Sequence, residues 1–290
     1  MSGSFLGLFA ALHWQRRRET ALAAVFACAL AVLVSGCVSS TVVTQQPVSQ
    51  TSEVTRPELV TASDESPGRR RARIRIELAS GYFETDKPTV ALDEVKQAIA
   101  ADPNYAPAYS LRGLIYMRLN DFDLAAESFR RATTLNPRDA DTLHNHGWLM
   151  CQQKRFEEAD RLFSQAATTP GYTNLPKTLM AQGLCRVRWG RPAEAETTLT
   201  RAYDLDPGNP IVGYTLANMH FQRGDMAGSR FYIRRVNNGE FATAESLWLG
   251  MRVERRLGDN VALSQLGEQL RKRFPQSREA ASFERGVFDE

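Results

Sequence analysis

The chain has 290 residues, of which 43% are hydrophobic and 24% charged. Those proportions belong to a folded protein with room for one or two domains. The formal net charge is +3, and residues 1–36 supply +2 of it (Arg16, Arg17 and Arg18 against Glu19), so the remainder stands near neutral at +1 and gives no argument for a nucleic-acid partner.

The N-terminus reads as an export signal. Arg16 to Arg18 make a positive leader segment, and Thr20 to Val34 is a 15-residue apolar stretch. That is the length of a signal-peptide core and short of the roughly 20 residues that span a bilayer. The stretch ends in Val34-Ser35-Gly36-Cys37, which resembles a lipobox: small residues before a cysteine that receives diacylglycerol and becomes the new N-terminus. The expectation is a signal peptide over 1–36 and lipidation of Cys37. Residues 37–68 are rich in Ser, Thr, Val and Gln, with Pro47, Pro57 and Pro67, and hold no helical or strand period. They are expected to form a flexible tether with a reach of roughly 30 Å. Position 38 is Val rather than Asp, which under the enterobacterial sorting rule implies the outer membrane, periplasmic face. Arg69, Arg70, Arg71 and Arg73 follow as a basic run, read as a solvated helix flank, with contact to anionic lipid headgroups as the alternative.

From Ala72 onward the chain repeats with a period near 34, the mark of an all-α solenoid. Small residues recur at position 8 of each repeat: Ala79, Gly113, Gly147, Gly183, Ala217 and Gly250. The repeat starting at Ala106 has Tyr109, Gly113, Tyr116, Ala125, Phe129, Ala132 and Pro137 in the tetratricopeptide register. Each repeat is expected to be two antiparallel helices. Small residues at positions 8 and 20 allow close approach, large ones at 4, 11 and 24 fill the space between, and a proline near 32 stops the second helix. The six repeats are 72–105, 106–139, 140–175, 176–209, 210–242 and 243–276, forming a right-handed superhelix. The third carries two extra residues within Pro170 to Pro176, and 277–288 reads as a capping helix.

Catalytic constellations are not found. The sequence holds no Gly-x-Ser-x-Gly, no phosphate-binding glycine loop and no His-Glu-x-x-His. The repeats consume the chain and leave no second domain, so the expectation is a non-enzyme with no cofactor, no metal and no small-molecule substrate. His144 and His146, two apart on a helix, point to different sides. They read as one imidazole facing the groove and one packed, and His220, at position 11, as packed. Cys151 and Cys185 sit late in the first helices of adjacent repeats, so a disulfide is the preferred reading and two buried thiols the alternative.

First helices line the concave face of such a superhelix, with positions 2, 5, 9 and 12 pointing inward. The candidate protein-binding groove is therefore Leu114, Met117, His144, Trp148, Met180, Leu184, Tyr214, Asn218, Phe221, Leu247 and Met251. An apolar lining of aromatics and methionines suits a helix or an extended peptide of a partner. It lacks the Lys and Asn array that clamps a terminal carboxylate.

Residues 71–285 resemble the PilF/PilW family of type IV pilus biogenesis lipoproteins, the pilotins of the pilus secretin. His144-Asn145-His146-Gly147-Trp148-Leu149-Met150-Cys151 is similar to the family's Asn-Asn-Tyr-Gly-x-Phe-Leu-Cys run, with His144 and His146 in place of Asn and Tyr. Pro170-Gly171-Tyr172 through Gly183-Leu184-Cys185 is similar to its Pro-x-Tyr to Gly-x-Cys stretch. Leu249-Gly250-Met251-Arg252 with Arg256-Leu257-Gly258-Asp259 resembles its C-terminal repeat. The resemblance implies a lipoprotein that binds the secretin subunit and promotes its outer-membrane targeting and multimerisation. The rival reading is a tetratricopeptide scaffold lipoprotein for cell-wall synthesis or outer-membrane protein assembly.

Overall fold

The computed structural model describes residues 64–288, all within one compact unit, Leu59–Glu290. The expected signal peptide, Cys37 and the expected tether up to residue 63 lie outside the described residues. Thirteen helices and no strands occur among the described residues: α1 Pro67–Glu84, α2 Pro88–Ala101, α3 Ala106–Arg118, α4 Phe122–Leu135, α5 Ala140–Gln152, α6 Phe156–Ala167, α7 Leu175–Arg188, α8 Pro192–Leu205, α9 Pro210–Gln222, α10 Met226–Asn237, α11 Ala244–Leu257, α12 Asn260–Arg273 and α13 Arg278–Glu284. Each odd helix from α1 to α11 packs on the even helix that follows it, and the hairpins stack in chain order. This is the tetratricopeptide solenoid that the period implied.

The ends of the helices follow from local chemistry. Asp121, Asp139, Asn209, Asp225 and Asp259 cap α4, α5, α9, α10 and α12 by accepting backbone N–H bonds in the first turn. Thr243 and Ser246 form a reciprocal capping box on α11. Helix α1 starts at Pro67, earlier than position 72, because Ser66 accepts from Arg69 N and Pro67 supplies a fixed φ at the first turn. The last two residues assigned to the tether, Pro67 and Gly68, are therefore helical. The basic run behind them is mostly neutralised within the chain: Arg69 pairs with Asp102, Arg70 with Glu65 at 3.9 Å, and Arg73 with Glu65 at 3.2 Å and with Glu77 at 2.9 Å.

Inside each hairpin a small residue on the first helix faces a large one sixteen positions on. A Cβ built on Gly183 would stand 2.5 Å from Leu199 Cγ, and one on Gly113 would stand 2.6 Å from Phe129 Cε1. Only glycine permits that approach. Phe129, Phe163, Leu199 and Ile233, the large residues of four successive repeats, are all fully buried or within 1% of it. The turn between the two helices of every hairpin holds one residue at positive φ: Asp86, Asn120, Lys154, Gly190, Gly224 and Gly258.

The array ends under its own C-terminal segment. Helix α13 packs on α11 and α12, Ala280 joins the core cluster of Leu247, Met251 and Leu270, and Phe288 stacks on Trp248 with ring centroids 4.9 Å apart.

Candidate partner-binding groove

The eleven residues expected in the groove divide into two sets. Leu114, Met117, Trp148, Met180, Leu184, Tyr214 and Asn218 are half-buried on the first helices α3, α5, α7 and α9. They keep an exposed edge beside exposed Val187 and Ile211. His144, Phe221, Leu247 and Met251 do not line a groove; all four are buried. The physical reasons differ. Leu247 and Met251 occupy the groove register of the last repeat, where α13 and the C-terminal segment cover them. Phe221 is roofed by the guanidiniums of Arg252 and Arg256, 4.6 and 4.9 Å above its ring. Glu254, at the same repeat position as Phe221, turns towards α10 and is held there by Arg230 at 3.1 Å and Arg234 at 2.9 Å.

His144 sits under the two-residue insertion. Its Nδ1 shares a hydrogen bond with Thr178 Oγ1 at 2.9 Å, that hydroxyl meets Tyr172 OH at 3.1 Å, and Tyr172 donates to Asp141 at 3.1 Å. The insertion thus folds Tyr172 back over the seam between α5 and α7, against Leu143 and Ala166. Burial raises the Tyr172 phenol to about 12. His146 lies on the other side of α5, stacked on Phe129 at 5.8 Å, with no hydrogen bond to Nδ1. Burial lowers both imidazoles to about 4. His220 is packed too, but in a polar nest. Its Nδ1 meets Asp225 at 2.7 Å, while Arg223 bridges Glu196 and Asp225. A backbone bond from Gly228 and then the bond to His220 hold the Asp225 carboxyl down near 2.

The sign of the histidine effect is fixed by those directions. As pH falls below the ordinary value of about 6.5, the unfolded chain takes up protons that the folded chain refuses until about 4. Stability is therefore complete above 6.5 and lost downward, by on the order of 1 kcal/mol per pH unit for each ring. Thermal melts from pH 7 to 4 are expected to show this loss. The variant His144→Asn/His146→Tyr should flatten it, and an unchanged slope in that variant would place the acid sensitivity elsewhere.

Cys151 of α5 and Cys185 of α7 are joined by a disulfide, with Cα atoms 5.9 Å apart. The bond crosses the same seam that Tyr172 covers. Position 12 of one first helix thus meets position 10 of the next. The same pairing recurs two seams later as Phe221 under Arg252. The sequence reading missed that contact, although the 31-residue offset between Phe221 and Arg252, close to the 34 between the cysteines, was a signal for it. Among the described residues no group of three His, Cys, Asp or Glu is placed to hold a metal ion, and no helix is long and apolar enough to cross a membrane.

Two tetratricopeptide-repeat family models match the chain, at residues 106–139 and 179–247. The chain is 27% identical over 231 residues to the type IV pilus assembly protein PilF of Pseudomonas aeruginosa, covering 78% of this chain and 92% of that protein. It is 27% identical over 135 residues to an uncharacterized protein of Haemophilus influenzae, covering 47% of this chain and 75% of the other. A solved structure of Pseudomonas aeruginosa PilF superposes with a TM-score of 0.69 at 24% identity, over 76% of this chain and 100% of that one. A crystal structure of PilW, a widely conserved type IV pilus biogenesis factor, superposes with a TM-score of 0.65 at 28% identity, over 73% and 97%.

Proposed function

We propose that this chain, a PilF/PilW-like tetratricopeptide-repeat protein acting in type IV pilus biogenesis, is an outer-membrane lipoprotein that binds the pilus secretin subunit and promotes its targeting and multimerisation. The observation that carries the reading is similarity to PilF along 92% of that protein's length. The half-buried apolar face of α3, α5, α7 and α9 supports it, since a face of that kind fits an extended or helical segment of another protein. Acylated Cys37 supplies the membrane address, because one chain anchors marginally and several anchor firmly. The work is then mechanical: the face holds a subunit at the bilayer until its neighbours assemble, and no covalent step is required.

A deletion strain scored for secretin multimers in the outer membrane tests this. Multimers should be lost, and restored by the wild-type gene. Trp148→Ala with Met180→Ala should fail to restore them while the purified variant keeps nearly its full melting temperature. Normal multimers in the deletion strain would refute the role. A collapsed melting temperature in the double variant would assign both side chains to the core.

A further inference from the structure

Three arginines of the first helices stand over aromatic rings of the preceding first helix. Arg188 of α7 stands 5.2 Å over Trp148 of α5, and Arg252 and Arg256 of α11 stand 4.6 and 4.9 Å over Phe221 of α9. None of the three makes an ion pair among the described residues. Their neighbours do: Arg186 holds Asp160 at 2.7 Å, and Arg230 and Arg234 hold Glu254. A guanidinium stacked on a ring keeps its N–H donors in its own plane, directed away from the ring. The ring contact holds each group while no carboxylate among the described residues pairs with it, so its fork is open for a two-oxygen acceptor. Arg252 and Arg256 are also four apart on one helix, a spacing at which like charges repel. The α11 dipole tolerates a basic last turn, but it does not put two guanidiniums on one ring.

The opposite edge of the same face has different chemistry. Ile211, Tyr214 and Phe241 line an apolar pocket of about 290 Å³ with Glu245 on its rim. Ile211 and Phe241 are more than half exposed there. A bulky apolar side chain fits that pocket, and Glu245 repels a carboxylate from it.

We propose that the segment held by this face is acidic as well as apolar, with carboxylates seated on the ring-backed arginines Arg188 and Arg252/Arg256 and apolar side chains lying between them and in the Tyr214 pocket. The inference rests on the first-helix face being the partner site. The two arginine positions are two first-helix spacings apart, roughly 20 Å for helices packed at 8–10 Å. An extended chain covers that distance in about six residues. The acidic side chains of the segment are thus spaced about six residues apart.

The test uses full-length protein in detergent and a fluorescein-labelled peptide carrying two Glu six residues apart, with Leu and Phe between them. Three further peptides serve as controls: one with Gln for Glu, one with Lys for Glu, and one with both Glu but Ser for Leu and Phe. The Glu peptide should bind, weaken as salt rises, and bind at least tenfold more tightly than any control. The variant Arg188→Gln/Arg252→Gln/Arg256→Gln should lose that preference while its circular dichroism and melting temperature stay close to wild type. Arg252→Lys, which keeps the charge and loses the fork, should fall between. Equal binding of the Glu and Gln peptides would overturn the acidic inference and leave the face as a partner site. Equal binding of the Glu–Ser peptide would reduce the arginines to diffuse attraction and overturn it as well, as would millimolar Glu peptide failing to bind. If secretin multimers still depend on Trp148 and Met180 after such a failure, only the charge inference falls.

Discussion

Phe163→Ala should destabilise the protein by about 3–5 kcal/mol, the range for emptying a fully enclosed aromatic site. Phe163 is fully buried in the cluster that also holds Leu149, Met150 and Cys185, and it packs on the space left by Gly147, whose added Cβ would stand 3.1 Å from it. Two neighbours cannot collapse into the hole: α5 is tied to α7 by the disulfide, and Ala159 is already in contact. Phe231→Ala is the matched control. That ring is 65% exposed, so the same change should cost well under 1 kcal/mol. Urea melts of both variants decide it. If the two substitutions cost the same, the hairpin interior is not packed as described. Because repeats are stabilised by their neighbours, the Phe163 variant should lose hydrogen-exchange protection first in α5 and α6 and only later at the ends.

Replacing Cys151 and Cys185 together with alanine should cost about 3–4 kcal/mol, the chain-entropy value for closing a loop of this length (the separation is 34 residues). Alanine is the right substitute because both sites are buried and apolar, so a serine hydroxyl would add a separate penalty. The loss should appear in wild-type protein on addition of dithiothreitol and be nil in the double variant. A thiol titration of unfolded, unreduced protein that found two free thiols in these positions would remove the premise. The bond lies beside Trp148 and Leu184, so its loss should loosen the middle of the partner face rather than its ends.

The period was readable because it is set by steric demands that only small residues meet. A Cβ on Gly113 or Gly183 would collide with Phe129 or Leu199, and one on Gly147 would stand a tight 3.1 Å from Phe163. A sequence therefore announces each hairpin by its small residue and the large one sixteen positions later. Helix starts were not read from the sequence; Asp121, Asp139 and Asn209 cap α4, α5 and α9 in the structure. The groove was less legible. Repeat position tells which way a side chain leaves its helix, but not what arrives afterwards to cover it. Met251 and Leu247 left α11 in the expected register and were buried by α13, an element outside the repeat pattern. His144 was expected at the surface, and the two extra residues that carry Tyr172 over it decided otherwise. The arginines over Trp148 and Phe221 escaped because they sit off the inward positions and reach their rings from the next helix.

The stacking of Phe288 on Trp248 also sets a gauge. With Leu247 and Met251 buried, the apolar residues of the face run only from α3 to α9, three helix spacings or roughly 30 Å, and end at Arg252 and Arg256 over Phe221. About nine residues of extended chain fill such a stretch. A longer guest has to leave sideways before it reaches the end. On the proposed reading, the face would select its guest by the length of the apolar stretch that fits as well as by its composition.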